Sequence, residues 1–149
     1  MKMKKLISML LAVLMVAGMF PVSALAEENP TITLTGVSEA KIGDTIEVTA
    51  AVANNPGFSS MALSLQYDEK VLEFKGTKKE LNNYGQEVTA GLFGAGLCEY
   101  NGNRIAFAAG NSDIAVDSIL FTAVFEVIGS GETDVSVSVE EFKNASGTS

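Results

Sequence analysis

The sequence predicts an all-β sandwich, and three observations carry that prediction. Apolar side chains recur at every second residue through most of Ile32 to Val139, and no stretch after the first twenty-six residues holds a convincing 3.6-residue period. The alternating runs are punctuated by turn-forming clusters, Asn54-Asn55-Pro56-Gly57, Asn101-Gly102 and Gly129-Ser130-Gly131. At least seven such runs occur, and half-buried strands in that number bury their apolar faces by packing as two sheets.

The first twenty-six residues are expected to lie outside any fold. Lys2, Lys4 and Lys5 precede an apolar run from Leu6 to Phe20, and Ala24-Leu25-Ala26 supplies an A-x-A cleavage site. At about fifteen residues the run is short for a membrane span, and no cysteine stands at the cut to carry a lipid. Residues 1–26 therefore read as a secretory signal peptide and residues 27–149 as one domain, secreted to the extracellular space or cell surface and not inserted in the membrane after cleavage.

In the first runs, Ile32 and Leu34 alternate with threonines, and Ile46, Val48, Ala50 and Val52 alternate with more polar residues. From Ser59 to Tyr67, Met61, Leu63, Leu65 and Tyr67 share the inward face, leaving Ser60, Ala62, Ser64 and Gln66 outward. Val71, Leu72 and Phe74 form a short strand, and polar Lys75 to Glu87 reads as a loop with room for one helical turn.

Asn101-Gly102 suits a two-residue type I′ turn. That turn pairs Glu99 with Arg104 and Cys98 with Ile105, turning Cys98, Ile105 and Phe107 inward and Leu97, Glu99, Arg104, Ala106 and Ala108 outward. Cys98, the single cysteine, has no disulfide partner and reads as a small buried hydrophobe. Ile119 to Ile128 turns Phe121, Ala123, Phe125 and Val127 inward and Leu120, Thr122, Val124 and Glu126 outward. Thr133 to Val139 alternates valines with polar residues.

Composition narrows the functions. The chain has 10 Lys plus Arg against 18 Asp plus Glu, and loss of the three leader lysines leaves 7 against 18, a net charge of −11. Such a product repels nucleic acid. Without histidine there is no imidazole base or ligand, and no G-x-S-x-G or phosphate loop occurs. Glu27-Glu28 and Glu140-Glu141 read as solvated pairs at the domain ends, so no catalytic pair is assigned. Gly110 to Asp113 with Asp117 lacks a full calcium-ligand pattern and reads as a polar turn. No metal or cofactor is expected.

The inside-out rule is broken at Ala62, Leu97, Ala106, Ala108, Leu120 and Val124, small or apolar residues at outward positions. With Thr122 among them and Ser60, Ser64, Gln66, Glu99, Arg104 and Glu126 at the margin, they are expected to form a flat docking surface with a polar rim.

Ile42 to Leu72 carries a G-D-T lead-in at Gly43-Asp44-Thr45, an N-x-P-G turn at Asn54 to Gly57, and a Y-D-x-x-V-L closure from Tyr67 to Leu72. In that order they resemble the front half of a cohesin module, the receptor module of bacterial cellulosome scaffolds. The resemblance extends over about Ile32 to Gly147. It implies jelly-roll topology and docking of a dockerin, a calcium-loaded helical module borne by polysaccharide-degrading enzymes, on the outward face. Cohesins normally add one more strand after a segment like Glu141 to Gly147, so the resemblance also implies a domain truncated at its C-terminus without its closing strand.

Direct carbohydrate binding is the alternative, because cellulose-binding modules share this ancestry. Flat polysaccharide is held by coplanar aromatic rings. The chain has no Trp, and of its three Tyr, Tyr67 points inward while Tyr84 and Tyr100 lie on loops.

Overall fold

The computed structural model describes residues 10–15 and 17–19 as backbone and residues 30–147 in full. The period-two alternation becomes strand almost throughout: β1 (Leu10–Met15), β2 (Ala17–Met19), β3 (Thr31–Thr35), β4 (Glu39–Lys41), β5 (Thr45–Ala53), β6 (Ser60–Gln66), β7 (Leu72–Thr77), β8 (Lys79–Leu81), β9 (Glu87–Thr89), β10 (Leu97–Asn101), β11 (Arg104–Ala108), β12 (Ser118–Val127) and β13 (Gly131–Lys143). The single helical element among the described residues is one 3-10 turn, Leu92–Ala95.

Two sheets face each other, ordered β10-β11-β6-β13-β1-β4 and β2-β3-β5-β12-β7. The chain changes sheet between β1 and β2, β3 and β4, β4 and β5, β5 and β6, β6 and β7, β11 and β12, and β12 and β13, the alternate crossing expected of a jelly roll. Between the sheets Phe58, Phe93, Phe121 and Phe125 are fully buried. Phe93 stacks on Phe107 at 4.7 Å and on Phe121 at 5.3 Å, so one ring bridges the two layers.

The N-x-P-G and Y-D-x-x-V-L segments have local physical reasons. Asn54 takes a positive φ of 56°, while the Asn55 carboxamide accepts from Gly57 N and donates to the carbonyls of Ile114 and Val116. Asp68 Oδ1 accepts from Lys70 N, and the Asp68 carbonyl accepts from Val71 N and Leu72 N, closing the turn that starts β7.

Two expectations are corrected. Polar Lys75 to Glu87 does not form a helical turn: β7 runs on to Thr77, and β8 and β9 pair as a hairpin. The hairpin at Asn101 turns on Gly102 and Asn103, with Gly102 at φ 60° and Asn103 not in the positive region, the pattern of a type II′ turn. Asn103 Nδ2 donates to Leu65 O and Asn103 O accepts from Leu65 N, ties to β6 that favour this placement. Glu99 thus faces Ala106, Cys98 faces Phe107, and Arg104 faces Asn101.

Two short strands lie within the apolar run of the leader. β1 pairs parallel with β13 and antiparallel with β4, and β2 pairs antiparallel with β3. Unpaired N–H and C=O groups on a sheet edge accept any extended segment that reaches them. Lys2, Lys4, Lys5 and the Ala24-Leu25-Ala26 site lie outside the described residues.

Candidate functional site

The outer face of β10-β11-β6-β13 is built in rows, because residues directly opposite on adjacent antiparallel strands point the same way. One row reads Leu97, Ala108, Ser60, Lys143, and the next Glu99, Ala106, Ala62, Glu141. A third reads Asn101, Arg104, Ser64, Ser138, and Gln66 stands opposite Ser136 beyond it. Nine of the thirteen expected surface residues fall here, and seven of them line a shallow depression of about 250 Å³, Ser64 and Gln66 lying beyond it.

The floor and rim differ in chemistry. Ala62 is 2% exposed because β6 is flanked on both sides and the residue itself is small. Ala106 is half-buried beside it, whereas Leu97 is 63% exposed at the outermost strand. On the rim, Ser60 Oγ donates to Glu141 Oε1 at 3.0 Å and Ser136 Oγ donates to Gln66 Oε1 at 3.1 Å. Arg104 Nε donates to Glu140 Oε2 at 2.6 Å, and Ser64 Oγ donates to Glu140 Oε1. Those two donors, Ser64 first and Arg104 second, hold the Glu140 carboxyl below the ordinary glutamate value.

Glu140 and Glu141 are the residues that sequence reasoning missed. β13 is irregular between Val139 and Glu141, where one extra residue interrupts the pairing with β6. The bulge falls near the C-terminal end of β13 and leaves Glu140 exposed and Glu141 half-buried, both within the strand. Its signal was present: inward positions fall at Val135, Val137 and Val139 and then skip to Phe142, a step of three.

The remaining four expected residues lie elsewhere. β12 belongs to the opposing sheet, so Thr122, Val124 and Glu126 cannot share a face with β6 and β11. Thr122 is 7% exposed, its hydroxyl 3.2 Å from that of Thr49, and Glu126 lies 3.7 Å from Lys75 Nζ. Leu120 is wholly buried, because a register shift between Ile119 and Phe121 turns it inward and leaves Ile119 45% exposed. Strand parity cannot foresee a bulge or say which sheet a strand joins.

Other candidates resolve into structure. Asp117 accepts from the backbone N–H groups of Asn54 and Asn55, and Asp113 Oδ1 accepts from Ala145 N at 2.6 Å, so these oxygens already serve as loop caps. Among the described residues no cluster of three or more acidic or cysteine side chains is placed to hold a metal ion. Cys98 is half-buried against the core, and burial pushes its thiol up, partly offset by a hydrogen bond with Thr89. Tyr100 lies in β10, not on a loop. Its ring meets Phe74 edge-to-face at 5.6 Å, so it offers no platform with the 88% exposed Tyr84.

Comparison with known protein families matches residues 30–148 to the Cohesin domain family. Among solved structures, the fold is similar to a non-cellulosomal cohesin from the hyperthermophilic archaeon Archaeoglobus fulgidus, with a TM-score of 0.53 and 22% identity over 72% of each chain. It is also similar to a chain of a type I cohesin–dockerin complex from Clostridium thermocellum, with a TM-score of 0.52 and 21% identity over 80% of this chain and 89% of that one. No curated protein matches the chain in sequence.

Proposed function

Because the chain belongs to the cohesin domain family, we propose that it is a secreted, non-catalytic receptor whose outer face on β10, β11, β6 and β13 docks the dockerin module of a polysaccharide-degrading enzyme. One observation carries this reading: the small-residue floor of Ala62, Ala106 and Ala108 sits within a rim of Ser60, Glu99, Arg104 and Glu141. A floor of that kind lets a partner's backbone approach closely and bury apolar area. The rim then sets orientation and discriminates among partners. The Clostridium thermocellum relative is known in complex with a dockerin, which supports the same class of partner here. Residues 1–26 are proposed to direct export of the scaffold that bears this module.

The test is calorimetric titration of the purified protein with a panel of dockerins in the presence of calcium. Saturable binding is expected. Silence across a broad panel, together with retention on insoluble cellulose, would replace docking with direct sugar binding.

A further inference from the structure

Within this docking reading, and resting on it for the location of the partner, the row Glu99-Ala106-Ala62-Glu141 says what the partner must present. Its four residues stand on four adjacent strands. Three interstrand gaps of roughly 4.7–4.9 Å separate the outer two backbones by about 14 Å. The two alanines between them form a strip without side chains tall enough to obstruct a partner. An α-helix with side chains is about 10–12 Å across, so a helix laid along the strands fits on the alanine strip with one carboxylate on either flank.

The charges on this face are not equivalent. Glu140 is answered by Arg104 and Ser64. The Glu99 carboxylate forms no hydrogen bond or ion pair among the described residues, and the Glu141 carboxylate receives only the Ser60 hydroxyl, on Oε1. Lys143 stands one row away on the Glu141 side and leaves Glu99 unopposed. The bracket is therefore acidic at both ends while the charge beside it is internally neutralised.

We infer that Glu99 and Glu141 select a helix carrying a basic, small, basic triplet at three consecutive positions. Successive helix residues are about 100° apart, so when the middle residue faces the alanine strip its neighbours on either side project towards opposite flanks. A small middle residue lets the helix settle, and the two long cations reach the two carboxylates.

The probe is a pair of otherwise identical two-helix scaffolds bearing Lys-Ala-Lys or Glu-Ala-Glu at the centre of one exposed helix, titrated into the wild-type protein at low and physiological salt. The basic scaffold is expected to bind at least about ten-fold more tightly than the acidic one, with the gap narrowing as salt rises. Glu99→Lys combined with Glu141→Lys should reverse the preference. Glu99→Gln with Glu141→Gln, which keeps the shape of the rim, should abolish it. Equal affinity of the two scaffolds for wild type, or an unchanged preference in the charge-reversed protein, overturns the inference even where a dockerin binds. Discrimination between the scaffolds with no dockerin bound would instead sink the docking reading and leave the acidic bracket standing.

Discussion

Arg104 on β11 and Glu140 on the β13 bulge meet across the central strand β6, guanidinium Nε to carboxylate Oε2 at 2.6 Å, with Ser64 of β6 donating to the other carboxylate oxygen. Three strands are thus tied on their outer surface by one carboxylate. The pair is about half exposed on both sides, so its contribution to stability is small and salt-sensitive.

That geometry makes acid sensitivity predictable in sign. The folded-state Glu140 carboxyl lies below its ordinary value, so its stabilisation is fully present above the ordinary glutamate range and is lost as pH falls through the folded-state value. Glu140→Gln should melt slightly below wild type at pH 7, with the difference shrinking to nothing on acidification. Thermal melts of both proteins from pH 7 to pH 2 check this, and a gap that widened in acid would contradict it.

Ala106 lies half-buried on the floor of the proposed docking face, between Glu99 and Ala62. Ala106→Arg should cost about 100-fold or more in dockerin affinity, because the new side chain stands where the partner must approach. Folding stability should stay within about 0.5 kcal/mol, as for surface substitutions generally. Calorimetry and denaturant titration together separate the two effects.

Leu120 separates bulge from parity. As an outward residue it would tolerate truncation, yet it is wholly buried. Leu120→Ala is expected to destabilise by about 2–5 kcal/mol through lost burial and a residual cavity, measured by urea unfolding. A change near zero would return Leu120 to the surface.

Gly76 has φ 107°, and a Cβ there would stand 2.4 Å from the Tyr100 hydroxyl oxygen. Gly76→Ala should cost about 1–3 kcal/mol from backbone strain, plus the loss of the Tyr100 edge contact with Phe74. Adding Tyr100→Ala would relieve the clash and leave the strain, so the double variant should be less destabilised than the two single costs added together. Strict additivity in a double-mutant cycle would mean the contact is absent.

Much of the outer face proposed for docking was legible without coordinates, even where the register was not. Moving the turn from Asn101-Gly102 to Gly102-Asn103 slides one strand past the other by two residues. Because side chains alternate with period two, Leu97, Glu99, Arg104, Ala106 and Ala108 stay outward and Ile105 and Phe107 stay inward. An odd slip would have inverted the surface. Leu120 was misplaced for the opposite reason: a bulge adds one residue, and one residue reverses the parity of everything counted across it.

The sequence by itself determined most of the strands, most of their inward faces and the small residues left outside, because alternation and turn chemistry are local and leave a direct trace in residue order. Only the tertiary structure decided that β12 crosses to the other sheet, taking Thr122, Val124 and Glu126 away from the outer face of β10, β11, β6 and β13. It also decided that the bulge in β13 carries Glu140 and Glu141 onto it. Which edges pair is settled by contacts between residues some 70 positions apart, as between Ser64 and Glu140, and no local pattern records them.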